Sequence, residues 1–149
     1  MNTLLMAAAL LVNSFYSQGT SDSTVTNSSP LIPGQVWHYH TRPGEEKSTL
    51  TILRVDTTAR LGILVHIAVD GVRVKNPGTD GVTTKLPHLP FSEKAVRRSV
   101  TTKVRDRAAI PDYREGYSIW RHDFDSGRAG VYTITVAEVV TIVEKTLNQ

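Results

Sequence analysis

The alternating stretch at residues 61–74, LGILVHIAVDGVRV, constrains the fold most strongly. Every second residue from Ile63 to Val69 is apolar, which is the period of a β-strand with one buried face. Asp70-Gly71 interrupts this pattern, and the alternation resumes at Val72. An Asp-Gly pair between two such runs is typical of a hairpin turn, because a type I′ turn needs positive φ at both central residues. We therefore predict a β-hairpin here, in the middle of a small antiparallel sheet.

Two further strands are predicted upstream of this hairpin, at residues 35–41 and 48–56. The second is rich in β-branched residues, which favour extended backbone. Short turns separate the four strands, so the simplest topology is a four-strand antiparallel meander over about residues 35–76. Residues 75–90 contain three prolines and two glycines and are interpreted as a long surface loop.

Three helices are predicted after the sheet, at about residues 92–106, 112–126 and 135–147. The first is indicated by Ser92 as an N-cap and by valines recurring every four residues. The second and third begin at sequences typical of a capping box. The many β-branched residues of the last segment leave a strand as its alternative. The expected fold class is α+β, with the helices packed on one face of the meander.

The N-terminal sequence predicts export. Residues 4–12, LLMAAALLV, have the length of a signal-peptide core and are too short to span a bilayer, although no Lys or Arg precedes them. We expect a signal peptide at residues 1–19, a polar flexible linker at 20–33 and a single folded domain at 34–149. The mature protein would then be periplasmic or secreted and would have no transmembrane helix. A cytoplasmic location is the alternative.

Composition limits the classes of partner and chemistry. The chain has 149 residues and a formal net charge of +3, and it has no cysteine, which excludes disulfides and thiolate metal sites. The basic residues at 93–107 are interpreted as a solvated face, so a nucleic-acid partner is not expected. No cofactor motif is present, and no cofactor is expected.

Three histidines form the candidate metal cluster. His38 and His40 lie on the same face of a predicted strand, and His66 on the hairpin would supply a third ligand if the register allowed it. For a binding role, we name Arg42, Glu45 and Glu46 on the first turn and His88 in the predicted loop. Loops of this length are often functional.

Other patterns carry weaker hypotheses. His88 and His122, with nearby aspartates, could form part of a hydrolytic triad, but no nucleophile-elbow sequence is present. Tyr117 and Trp120 belong to an aromatic stripe that is interpreted as core, with a ligand groove between helix and sheet as the alternative. The glycine-rich turn at residues 125–130 is interpreted as a helix end.

Two blocks carry a resemblance to other proteins. Residues 33–56, PGQVWHYHTRPGEEKSTLTILRVD, and residues 111–134, PDYREGYSIWRHDFDSGRAGVYTI, resemble a group of short uncharacterised bacterial proteins. The resemblance implies a bacterial origin and supplies no activity or site residues.

The sequence thus predicts a small exported bacterial domain that is a non-enzymatic binding or interaction protein, with an unidentified protein or small molecule as its partner. One alternative is a small hydrolase or metal-dependent enzyme that uses the sheet histidines. A third hypothesis is a cytoplasmic accessory factor.

Overall fold

A computed structural model describes residues 29–79 and 81–149 and has the predicted α+β class. Its antiparallel sheet has five strands in the order β4-β3-β2-β1-β5. In chain order the elements are β1 (Val36–Tyr39), β2 (Thr49–Thr58), β3 (Gly62–Asn76), β4 (Gly81–Ser92), α1 (Glu93–Ser99), β5 (Val100–Arg105), α2 (Arg114–Asp125) and α3 (Val136–Leu147).

Asp70-Gly71 is a β-bulge, and the predicted hairpin turn at this point is wrong. β3 continues through the pair as one strand, and its register with β4 shifts between Asp70 and Val74. Gly71 has φ of +83°, and a Cβ added there would lie 3.1 Å from the Cα of Ser48. Glycine is therefore required both by its backbone angle and by the close approach of a neighbouring chain segment.

The predicted loop at residues 75–90 is also wrong over most of its length, because β4 begins at Gly81. The prolines of this segment favoured a loop, because proline has no N–H to donate within a central strand. β4 is an edge strand, where Pro87 and Pro90 are tolerated. Residue Tyr132 runs beside the outer edge of β4, and its N–H donates to the carbonyl of Pro90 at 2.9 Å.

The first predicted helix is correct only in its first half. Ser92 caps α1 by accepting from the N–H of Ala95 at 3.3 Å, but the helix ends at Ser99 and β5 follows. Val100 and the threonines after it are β-branched, and β5 pairs with β1 at the edge of the sheet. The valine spacing that suggested a longer helix therefore spans a helix and a strand.

α2 and α3 agree with the predicted segments within two residues at each end. Thr135 and Glu138 form the predicted capping box: the Thr135 N–H donates to Oε2 of Glu138 at 2.8 Å, and the Thr135 hydroxyl accepts from the Glu138 N–H at 3.4 Å. The other expected box does not form, because Tyr113 is the N-cap of α2 and makes no side-chain cap bond.

Helices cover both faces of the sheet, so the expectation that all three pack on one face is wrong. Val65 and Ile67 of β3 belong to the apolar core that includes Val139 of α3. His66 lies between these two residues and points to the opposite face, because side chains alternate along a strand. The rings of α2 contact His66 there, which separates an aliphatic face from an aromatic and polar one.

The predicted signal peptide and most of the predicted linker lie outside the described residues. The last linker residues belong to the folded unit, because Leu31 is buried in the apolar core and Ile32 donates its N–H to the side chain of Gln35 at 3.1 Å. Within residues 29–79 and 81–149, no helix is long and apolar enough to cross a membrane.

Gly71→Ala tests the bulge. Gly44 is the matched control, since it has a similar φ of +85° but nothing within 4 Å of an added Cβ. Both alanine variants carry the cost of positive φ, about 1–2 kcal/mol. Only Gly71→Ala also forces β3 away from Ser48, so its free energy of unfolding in urea falls further than that of Gly44→Ala. Equal losses in the two variants contradict a close-packed bulge.

Candidate functional site

The candidate site is built around His66, which is fully buried between the sheet and α2. Tyr117 and Trp120 are three residues apart and therefore lie on one face of α2. Their ring centroids lie 5.1 Å and 4.7 Å from that of His66, both in edge-to-face geometry. These aromatic rings exclude water from the imidazole.

His88 on β4 is the nearest polar partner of His66. His66 pairs with Pro90 across the strands, so His88, two residues earlier, is its diagonal neighbour on the same face. Nδ1 of His66 lies 3.0 Å from Nε2 of His88, a hydrogen-bond distance, and the two rings stack with an interplanar angle of 14°. His88 is only half-buried, so the pair links a sealed ring to a solvent-accessible one.

Asp56 on β2 lies on the other side of His66. Its Oδ2 is 3.2 Å from Nε2 of His66, but the alignment is too poor for a hydrogen bond, which leaves this buried nitrogen with an electrostatic contact only. Two donors hold the carboxylate: Nε of Arg54 donates to Oδ1 at 2.7 Å, and the Tyr117 hydroxyl donates to Oδ2 at 3.0 Å. The Arg54 guanidinium also lies over the Tyr117 ring, 4.7 Å from its centroid.

Asp56, His66 and His88 form a line of neighbouring side chains whose charge states follow from burial and from these contacts. Burial, together with the neighbouring His88, lowers the pKa of His66 to about 4 against an opposing effect of Asp56. Burial also lowers the pKa of His88. For Asp56, burial raises the pKa, but the hydrogen bonds from Arg54 and Tyr117 outweigh it, so the pKa falls. At neutral pH the line is a carboxylate followed by two neutral imidazoles.

Beyond His88 lies an open groove of about 520 Å³, which we call the His88 groove. It is lined by His88, Leu89, Pro90, Gly116, Ile119, Trp120, Ala129, Gly130, Val131 and Tyr132. The Trp120 indole N–H donates to the carbonyl of Gly130 at 2.8 Å and so fixes one wall. A Cβ on Gly116 would lie 3.0 Å from Cβ of His88, so glycine is what lets α2 approach β4 this closely.

A second groove of about 380 Å³ also reaches His88. It is lined by Pro87, His88, Asp112, Tyr113, Glu115, Gly116 and Ile119. His88 and Gly116 therefore stand where two surface depressions meet.

The candidate metal cluster is not assembled. His38 on β1 and His40, directly after it, are both exposed, and β2 separates β1 from β3. Through Thr49, His38 aligns with Asp70, four residues along β3 from His66, so the Cα atoms of His38 and His66 are on the order of 16 Å apart. Among the described residues, no group of three His, Asp or Glu side chains could hold a metal ion.

The predicted binding residues of the first turn have structural partners instead. Glu45 is buried, forms an ion pair with Arg42 and accepts from the backbone N–H of Arg73 at 2.7 Å. Arg42 also pairs with Glu144 of α3 at 3.2 Å. These contacts fasten the turn to β3 and α3. Glu46 is exposed and accepts from the N–H of Gly44 at 2.8 Å.

Of the residues proposed for binding, only His88 enters the site. Sequence reasoning missed Asp56 and Gly116 and assigned Tyr117 and Trp120 mainly to the core. Trp37 and Tyr39 of β1 are buried in the apolar cluster on the opposite face. The only signal for Asp56 was its position at the polar end of a strand, which does not identify a partner.

Comparisons with known proteins add no assignment: no protein-family model, curated protein or solved structure matches this chain.

The burial of His66 predicts how stability depends on pH. The unfolded chain binds a proton near pH 6.5 and the folded chain only near pH 4, so the unfolded state takes up more protons between these values. Stability therefore falls as the pH is lowered through this window. From pH 7 to pH 5 the loss attributable to His66 is about 2 kcal/mol.

Urea unfolding at pH 7 and pH 5 measures this loss. His66→Gln is expected to flatten the dependence, whereas His38→Gln, at an exposed position, leaves the wild-type dependence intact. The same pH dependence in His66→Gln and in the wild type contradicts the burial of a neutral imidazole.

Proposed function

We propose that this protein is a non-enzymatic binding protein and that the His88 groove holds a small ligand with an aromatic or aliphatic body. The observation that carries the proposal is a half-buried histidine, held from behind by a buried partner, in the wall of an otherwise apolar groove. An apolar cleft with a few fixed polar groups is the usual form of a small-molecule site.

The groove has the size and the rigidity that such a site needs. Its volume of about 520 Å³ lies within the range for small-molecule sites, roughly 300–1,000 Å³. Tyr132 is fixed at both backbone groups, since its N–H donates to Pro90 and its carbonyl accepts from the N–H of Ser92, each at 2.9 Å. A preformed wall reduces the entropy that binding must overcome.

An exposed apolar side chain marks the rim of the groove. Ile119 of α2 is 61% exposed and lines both depressions, so it contributes little to the core. A bound apolar ligand would cover this side chain and gain hydrophobic contact area.

Bacterial origin and export belong to this proposal. Export is supported by the N-terminal sequence pattern, which precedes the described residues, and bacterial origin by the resemblance of residues 33–56 and 111–134 to short bacterial proteins. The alternative of a metal-dependent enzyme built on His38, His40 and His66 has no support from their positions, because the three side chains do not converge.

Ile119→Glu tests the groove with 2-naphthol as the probe. A carboxylate at the rim would have to lose water against the naphthalene ring, so we expect affinity to fall at least about tenfold. Ile142→Glu is the matched control, because Ile142 is an exposed isoleucine on α3, away from the groove. Titration followed by NMR measures both affinities and reports whether the Trp120 indole signal moves.

The proposal requires 2-naphthol to shift the signals of His88 and Trp120 in the wild-type protein. Absence of binding, or equal binding by the two glutamate variants, contradicts the assignment of this groove.

A further inference from the structure

The contact between the two histidines has a direction. A neutral imidazole has one N–H donor and one lone-pair acceptor. The hydrogen bond between Nδ1 of His66 and Nε2 of His88 at 3.0 Å holds one proton, so one of these nitrogens donates and the other accepts. The two remaining ring nitrogens are Nε2 of His66 and Nδ1 of His88. One of them must then carry a proton and the other a lone pair.

Asp56 sets that direction. An ionised carboxylate only accepts hydrogen bonds, and Arg54 and Tyr117 keep Asp56 ionised. At 3.2 Å from its Oδ2, a protonated Nε2 of His66 is attracted, whereas a lone pair would be repelled even without ideal alignment. Nε2 of His66 therefore carries the proton, Nδ1 of His66 accepts, and Nε2 of His88 donates.

The consequence appears at the groove. With its proton on Nε2, His88 has a lone pair on Nδ1. Within residues 29–79 and 81–149, Nδ1 of His88 has no hydrogen-bond partner. The atom is not buried, so solvent reaches it. It lies beside Gly116, since a Cβ added there would be 3.5 Å from Nδ1.

We propose that the ligand of the His88 groove carries a neutral hydrogen-bond donor, a hydroxyl or amide N–H, which Nδ1 of His88 accepts. This inference rests on the proposed function and deepens it. Asp56 acts on the ligand through His66 and is a positioning residue. A ligand that offers only an acceptor at this point would leave two lone pairs facing each other without water.

Asp56→Asn is expected to exchange the donor and acceptor roles along the series Asp56, His66 and His88. Oδ1 accepts from Arg54, so the amide oxygen of asparagine takes that position and its NH₂ group faces His66 and the Tyr117 hydroxyl. The NH₂ group then faces Nε2 of His66 and favours a lone pair there. Nδ1 of His66 therefore donates to His88, and Nδ1 of His88 becomes an N–H donor. The groove of this variant should prefer an acceptor.

The experiment compares two probes with the same ring system, 2-naphthol as donor and 2-acetylnaphthalene as acceptor. The wild-type protein should bind 2-naphthol about tenfold more tightly. Asp56→Asn should abolish this preference, because an N–H on Nδ1 of His88 can donate to the oxygen of either probe. Asp70→Asn is the control, because Asp70 is exposed and lies outside the site. It should keep the wild-type preference.

Nitrogen-15 NMR of the histidine rings gives an independent measurement that needs no variant. The wild-type spectrum should show the proton of His88 on Nε2, and a proton on Nδ1 would overturn the inference whether or not Asp56→Asn folds. The inference is also overturned if Asp56→Asn moves the His88 proton and the probe preference stays unchanged, although groove binding then stands. If neither probe binds the wild type, the proposed function fails and the inference fails with it.

Discussion

An imidazole removed from water is stabilised by a hydrogen bond at one ring nitrogen and by a negative charge near its N–H, and the surroundings of His66 supply both. His66 is completely buried. Asp56 faces one ring nitrogen and His88 the other, on the strands that flank β3. Two aromatic rings of α2 close the remaining side. The position of α2 on the sheet and the orientation of His88 thus both depend on one buried ring.

The two faces of the sheet differ in their side chains and in the helices that cover them. On one face, aliphatic side chains of β3 pack against α1 and α3 in a continuous apolar core. On the other face, the histidines and Asp56 are covered by α2, and the covering is incomplete at His88. The open groove therefore lies on the polar face, where a ligand can contact a fixed histidine without disturbing the apolar core. The ion pairs of Arg42 with Glu45 and Glu144 serve the first face and belong to its structure.

Local patterns predicted the elements whose signals are local. The Thr135 capping box and the helices α2 and α3 depend on neighbouring residues and are present as expected. The predicted turn at Asp70-Gly71 was wrong because a two-residue turn and a β-bulge both leave Val69 and Val72 facing the same side. The apolar pattern is therefore the same for both structures. The prolines of β4 look like loop residues unless the strand is known to be an edge. The site could not be predicted from local patterns, because only the strand register brings together Asp56, His66, His88 and α2.

The hydrogen bond between the two histidines can be measured as a scalar coupling between the ¹⁵N nuclei of Nδ1 of His66 and Nε2 of His88. Such a coupling passes through a hydrogen bond and is absent between rings that are merely close. The structure, with these atoms 3.0 Å apart, predicts a resolved coupling at neutral pH that disappears in His88→Phe. No coupling in the wild-type protein, with both ring signals assigned, would contradict the connection between the Asp56 carboxylate and the groove.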